Sequence, residues 1–158
     1  MSDLWKLLHV LSGFALVAGL IGRTVTIAEA RRASDLDRIE ALIGAAGRFE
    51  RLMVQPGSFV VIVLGLITMW AQGRSLVGEG NWWLLSSLLI YAAIAALVPL
   101  VFLPRGRRFE ATLDGAKAEG RLTPVLTDAF ADPIVKGART AELVGIAVVI
   151  SLMVLQPF

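Results

Sequence analysis

Four stretches of the chain are apolar over many residues, and polar runs separate them. The first covers Leu4 to Ala28, interrupted only by Lys6, His9 and Arg23, and the second covers Gly57 to Gln72, with a helix expected to begin upstream near Phe49. The third, Trp82 to Phe102, carries no charge at all, and the fourth runs from about Ala138 to Gln156. At about 1.5 Å per helical residue the third stretch alone covers roughly 31 Å, the hydrocarbon thickness of a bilayer. Lipid offers the backbone no hydrogen-bond partners, and none of the four stretches alternates with period two, so each is predicted to be a helix. The pattern predicts an all-α membrane protein: a four-helix transmembrane bundle in a single domain, residues 1–158, with spans at about 4–28, 50–72, 82–103 and 133–157.

The polar linkers have a pattern of their own. Leu36, Ile39, Ile43, Ala46, Phe49 and Met53 recur at helical spacing while Asp37, Glu40, Arg48 and Arg51 face the other way. That is an amphipathic helix, lying on the membrane surface or against the bundle, with Ser34 and Asp37 as its N-terminal cap arrangement. In the second linker Phe109, Leu113 and Ala116 make a thinner stripe beside a ladder of mixed charge. Thr123-Pro124 and Asp132-Pro133 each read as an N-cap followed by proline at the first helical position, the latter starting the fourth span. Pro99 and Pro56 remove backbone donors and are expected to kink the third and second spans.

A coarse repeat emerges from these elements. Trp5 and Trp83 are 78 residues apart and Pro56 and Pro133 are 77 apart, each pair holding the same place in a helix, basic linker, helix unit. One reading is a parallel duplication. The other is that tryptophan and proline favour membrane boundaries in any sequence.

Composition supports the membrane reading: 56% of residues are hydrophobic and 18% charged, with a mean hydropathy of +0.74. Without cysteine, disulfides, thiolate ligands and a cysteine nucleophile are excluded. Cations set the expected topology, because Lys and Arg are retained on the cytoplasmic side. Arg31, Arg32, Arg38, Arg48 and Arg51 lie between the first and second spans, and Arg105, Arg107, Arg108, Lys117, Arg121, Lys136 and Arg139 between the third and fourth. Both long linkers are therefore expected in the cytoplasm and both termini outside, in a bacterial inner membrane. Trp5, Trp70, Trp82 and Trp83 then fall at outer helix ends, as an interfacial belt would place them. The cationic balance is accounted for by membrane edges and calls for no nucleic acid.

Candidate chemistry sits on polar residues inside the spans, where ionisable groups are costly. His9, Ser12, Gly13, Gly19 and Arg23 share one face of the first helix, and Ser58, Gly65 and Thr68 on the second and Ser86, Ser87 and Tyr91 on the third make further small or polar faces. Small residues permit close helix approach. His9 has two readings: a ligand to haem iron or a metal, or a helix-to-helix hydrogen-bonding residue. Arg23 and Glu142 are the deepest charges and lie at similar depth, so an ion pair between them is expected to lock the bundle first and handle protons second. No phosphate-binding glycine loop, His-Glu-x-x-His signature or Ser/His/Asp order is present.

Leu7-Leu8-His9-Val10 with Gly19-Leu20 and the later Arg23, Gln55-Pro56-Gly57 and Gly65-Leu66 in the second span, and Trp82-Trp83-Leu84 opening the third, resemble an uncharacterised bacterial family of four-helix integral membrane proteins. More distantly, the Leu-His-Val and Gly-Leu spacing is similar to the copper-resistance D membrane domain and to HemJ-type proteins. That second resemblance implies His9 as a haem-linked ligand, while the further histidines of the HemJ pattern are missing here. The expectation is a non-catalytic structural or accessory protein associating through its glycine-bearing faces, as a homo-oligomer or within a larger membrane complex. A haem- or copper-linked protein using His9, and a small-solute transporter, are the alternatives.

Overall fold

A computed structural model describes residues 2–78 and 80–157, the side chain of Ser2 excepted. Its described residues form helices and turns without strands. The elements are α1 (Ser2–Arg32), α2 (Leu36–Phe49), α3 (Gln55–Ala71), α4 (Trp82–Leu97), α5 (Leu103–Glu119), α6 (Pro124–Phe130) and α7 (Pro133–Leu155). Single π-helical turns, Glu50–Val54 and Val98–Phe102, join α2 to α3 and α4 to α5 without a break. Four continuous helical stretches are thus long and apolar enough to cross a membrane. The chain divides between Arg74 and Ser75 into two compact units, in the short turn between the second and third apolar stretches.

In the first unit α1 and α3 pack side by side in opposite directions, and α2 lies along the far end of α1. Glycines make this approach possible. The ring of Phe49 lies where a Cβ on Gly22 would be, and a Cβ on Gly57 would touch the backbone of Leu16 at 3.4 Å. Leu16 and Leu20 fill the seam, with Ile39 and Ala46 of α2 buried beside it. The amphipathic stripe of the first linker therefore faces protein, the second of the two alternatives its pattern allowed.

In the second unit α4 packs on α7, where the side chain of Ile94 occupies the space beside Gly145. Below that contact α5 and α6 are joined by Phe109 and Phe130, whose rings meet edge to face at a centroid distance of 4.8 Å. Leu113, Ala116 and Leu126 are buried around them. Gly120 ends α5 with φ +64°, a conformation that favours glycine because it has no Cβ.

Caps explain the helix starts. Thr123 accepts from the Leu126 N–H and Asp132 from the N–H groups of Ile134 and Val135, each with proline next, as the sequence pattern indicated. At α2 the cap is Asp35, accepting from the Arg38 N–H at 3.1 Å, rather than Ser34. The π turns account for the proline positions. Each is followed by one residue and then a proline, Pro56 or Pro104. A proline crowds the carbonyl four residues back, and a wider turn relieves that crowding without breaking the helix. Pro99, expected to kink the third span, lies inside the second π turn, and the helix continues through it.

Of the tryptophans expected at outer helix ends, Trp83 is 5% exposed and Trp70 81%.

Candidate functional site

His9 stands in the α1–α3 seam. Its Nδ1 lies 2.9 Å from the carbonyl oxygen of Val61, and its ring rests against Gly65, where a Cβ would lie 3.0 Å from Cε1. A turn later Ser12 Oγ donates to the His9 carbonyl at 2.7 Å. The imidazole therefore bonds one helix to the other and fills the notch that Gly65 leaves, the helix-to-helix reading of the residue. With Nδ1–H as donor, Nε2 keeps its lone pair, the tautomer in which a histidine can also ligate.

Gly19 marks a close approach between α1 and the π turn that precedes α3. A Cβ there would lie 2.7 Å from the Cβ of Met53 and 3.3 Å from the Val54 backbone nitrogen, so the π turn is pressed directly against α1. Gly19, Gly22, Gly57 and Gly65 are all taken up within the unit, while Gly13 has open space.

One turn beyond Gly19, Arg23 donates through Nη1 to Oε2 of Glu50 at 2.6 Å. The arginine side chain is largely buried and the carboxylate about a quarter exposed. Glu50 is the first residue of the π turn, so the turn that follows α2 brings the carboxylate to α1. Glu142, the partner expected from depth, belongs to the second unit, where it is buried on α7 at 5% exposure. Depth in the sequence picked out the arginine; it did not point to Glu50.

The second unit carries a counterpart. Arg105, at the start of α5, donates to the carboxylate of Asp132, and the two are 27 residues apart, as are Arg23 and Glu50. In both units an arginine that continues the first long helix meets an acidic residue at the approach to the second. The sequence marked Asp132 as an N-cap but not as an arginine's partner, and it did not mark Glu50 at all, although comparing the two halves for arginines with an acid at a common spacing would have found both pairs.

Asp132 stands ahead of the first residue of α7, outside the apolar stretch. Partial burial works against its charge, yet the hydrogen bond from Arg105, those from the Ile134 and Val135 N–H groups, and the arginine's charge hold its carboxyl below the ordinary value of 3.8. A lowered folded-state pKa contributes stability that is fully present above the unfolded value and is lost as pH falls through the folded one. Acid titration of thermal unfolding should therefore show a loss that begins near 3.8 and continues below it, and Asp132→Asn should flatten that segment of the curve. An unchanged acid limb in the variant would remove this role.

The remaining polar candidates are mostly spent on their own helices. Ser58 Oγ donates to the Gln55 carbonyl at 2.8 Å and Thr68 Oγ1 to the Leu64 carbonyl at 2.7 Å. Ser86 and Tyr91 are half-buried on α4. Ser87 is fully buried, and its Oγ has no hydrogen-bond partner among the described residues. Among the described residues no three His, Asp or Glu side chains gather as a metal would require.

No curated protein and no solved structure matches this chain. A family model described as a predicted integral membrane protein, DUF2269, matches residues 3–157. That match agrees with the four apolar helical stretches. The chain belongs to the DUF2269 family of predicted integral membrane proteins.

Proposed function

We propose that the protein is a non-catalytic structural or accessory component of a bacterial inner membrane, with both termini outside and both long linkers in the cytoplasm. The observation that carries this reading is the use made of the most chemically capable side chain in the spans. His9 holds α3 through the Val61 carbonyl and packs on Gly65. Since the seam glycines are filled from within, association with a second copy or a larger complex falls to the outward apolar side chains and to the open side of α1 at Gly13. Arg23 and Glu142, similar in depth, remain a candidate lock, tested by whether Glu142→Gln leaves assembly and thermal stability unchanged.

The second reading rests on the free lone pair of Nε2, and on the distant resemblance to copper-resistance D and HemJ-type proteins. The residues present fit a haem poorly. One imidazole is available in the chain, and its Gly65 side is packed against α3. A bis-histidine site would need two protomers. Small-solute transport is a third reading, to be scored by uptake into vesicles.

An absorption spectrum with metal analysis separates the first two. Protein made with ample haem precursor and purified in mild detergent is expected to be colourless and metal-free, and His9→Ala is expected to lower thermal stability by about 1–3 kcal/mol, as loss of a half-buried hydrogen-bonded side chain does. A stoichiometric Soret band abolished by His9→Ala would replace the structural reading with a haem one.

A further inference from the structure

We infer that Arg107 and Arg108 hold the headgroup of an anionic phospholipid whose acyl chain lies along Leu103 and Leu100. The helix from Trp82 through α5 exposes a column of side chains, Trp82, Leu89, Leu100, Leu103 and Arg107, at successive steps of seven, eleven, three and four residues. Leu100 is 73% exposed and Leu89 62%. These are large, protruding residues, whereas helix-to-helix contacts in membranes favour small ones, so the column suits lipid rather than a second helix. Its ends carry the residues of membrane interfaces, an indole at one and a guanidinium at the other. From Trp82 to Arg107 is roughly 37 Å at 1.5 Å per residue, a hydrocarbon core and part of both headgroup layers.

Charge decides which lipid. Several arginines have carboxylates: Arg23 has Glu50, Arg105 has Asp132, Arg121 has Glu119 and Arg32 has Glu29. Arg107 and Arg108 are exposed and make no ion pair among the described residues, and Glu110, the nearest acid along α5, engages neither. Two adjacent unpaired guanidinium groups just beyond an exposed apolar column match a phosphodiester that lacks a compensating cation. A zwitterionic headgroup brings its own ammonium and gains less. The first unit has a related order in the opposite chain direction, with one arginine: from Arg48, which makes no ion pair among the described residues, through exposed Leu52 and Phe59 to Trp70.

The test uses the full-length protein in phosphatidylcholine vesicles, with trace chain-spin-labelled phosphatidylglycerol or phosphatidylcholine. The fraction of motionally restricted label gives the relative association of the two lipids. Wild type is expected to prefer phosphatidylglycerol about fivefold or more, given the usual strength of one basic residue at an anionic surface. Arg107→Gln with Arg108→Gln should remove most of that preference, and the two lysine replacements should retain it. Equal association of both lipids in wild type, or an undiminished preference in the glutamine variant, overturns the proposal. So does displacement of the labelled lipid by inorganic phosphate beyond what chloride does at matched ionic strength, which would make the pair a free-anion site. Should the glutamine variant not assemble, a cationic lipid with the same chains decides: it must be excluded by wild type, and equal association sinks the idea.

Discussion

Gly19→Ala is expected to lower the thermal stability of the protein by about 1–3 kcal/mol, the usual range for forcing atoms into a filled core. A Cβ at this position would lie 2.7 Å from the Cβ of Met53, an atom fixed to the backbone of the π turn, and 3.3 Å from the Val54 backbone nitrogen. Neither can swing away as a side-chain tip can, so α1 and the π turn must separate. Separation loosens the Arg23–Glu50 pair one turn further along. Gly13→Ala is the control, because it meets nothing within 4 Å. There the gain in helix propensity over glycine, up to about 1 kcal/mol, should leave the protein unchanged or slightly more stable. Thermal unfolding of both variants in the same detergent distinguishes them. If they behave alike, the seam is not closed as described.

The second large effect is expected at the ion pair that ends this seam. Arg23→Gln should cost about 2–3 kcal/mol, below the 3–5 kcal/mol of breaking a fully buried pair, because Glu50 keeps some contact with solvent. Glu50→Gln leaves the buried arginine charged and should cost a similar amount. With both replaced, neither member of this pair is left facing a missing partner, so the double variant should be less destabilised than the sum of the singles. A double-mutant cycle on thermal or denaturant unfolding measures this. Additive losses would mean that Arg23 and Glu50 act independently. The same cycle at Arg105 and Asp132 should give a smaller coupling of the same sign, since both side chains are only partly buried and solvent screens them.

The two ion pairs bear on the repeat outlined by Trp5 and Trp83 and by Pro56 and Pro133. Both units follow the same order: a long helix bearing the arginine, a capped shorter helix, an acid 27 residues beyond the arginine, and a second spanning helix. The caps match as well, Asp35 and Thr123 each accepting an N–H three residues on. The π turns do not match in place, one leading into the second long helix of its unit and the other leaving the first. Each π turn answers a local proline, which explains why it need not follow the repeat.

Membrane residence, helix number and most helix limits were legible in the sequence because they depend on local quantities. Twenty-one uncharged residues can do little else in lipid than form a helix, and Thr123-Pro124 and Asp132-Pro133 carry their own start signals. His9 and Gly65 were recognisable as unusual residues within a span. That they fill one another's space was not, because it depends on how two helices are offset along their axes. Tertiary packing also buried Trp83 and carried the linker stripe against α1. It brought Glu50 to Arg23 because the π turn at Glu50 is pressed against Gly19 and carries the carboxylate to α1. Periodicity along one helix determines which residues share a face; only the packed helices determine what that face meets, since side-chain contacts depend on distances between segments that the chain order does not contain.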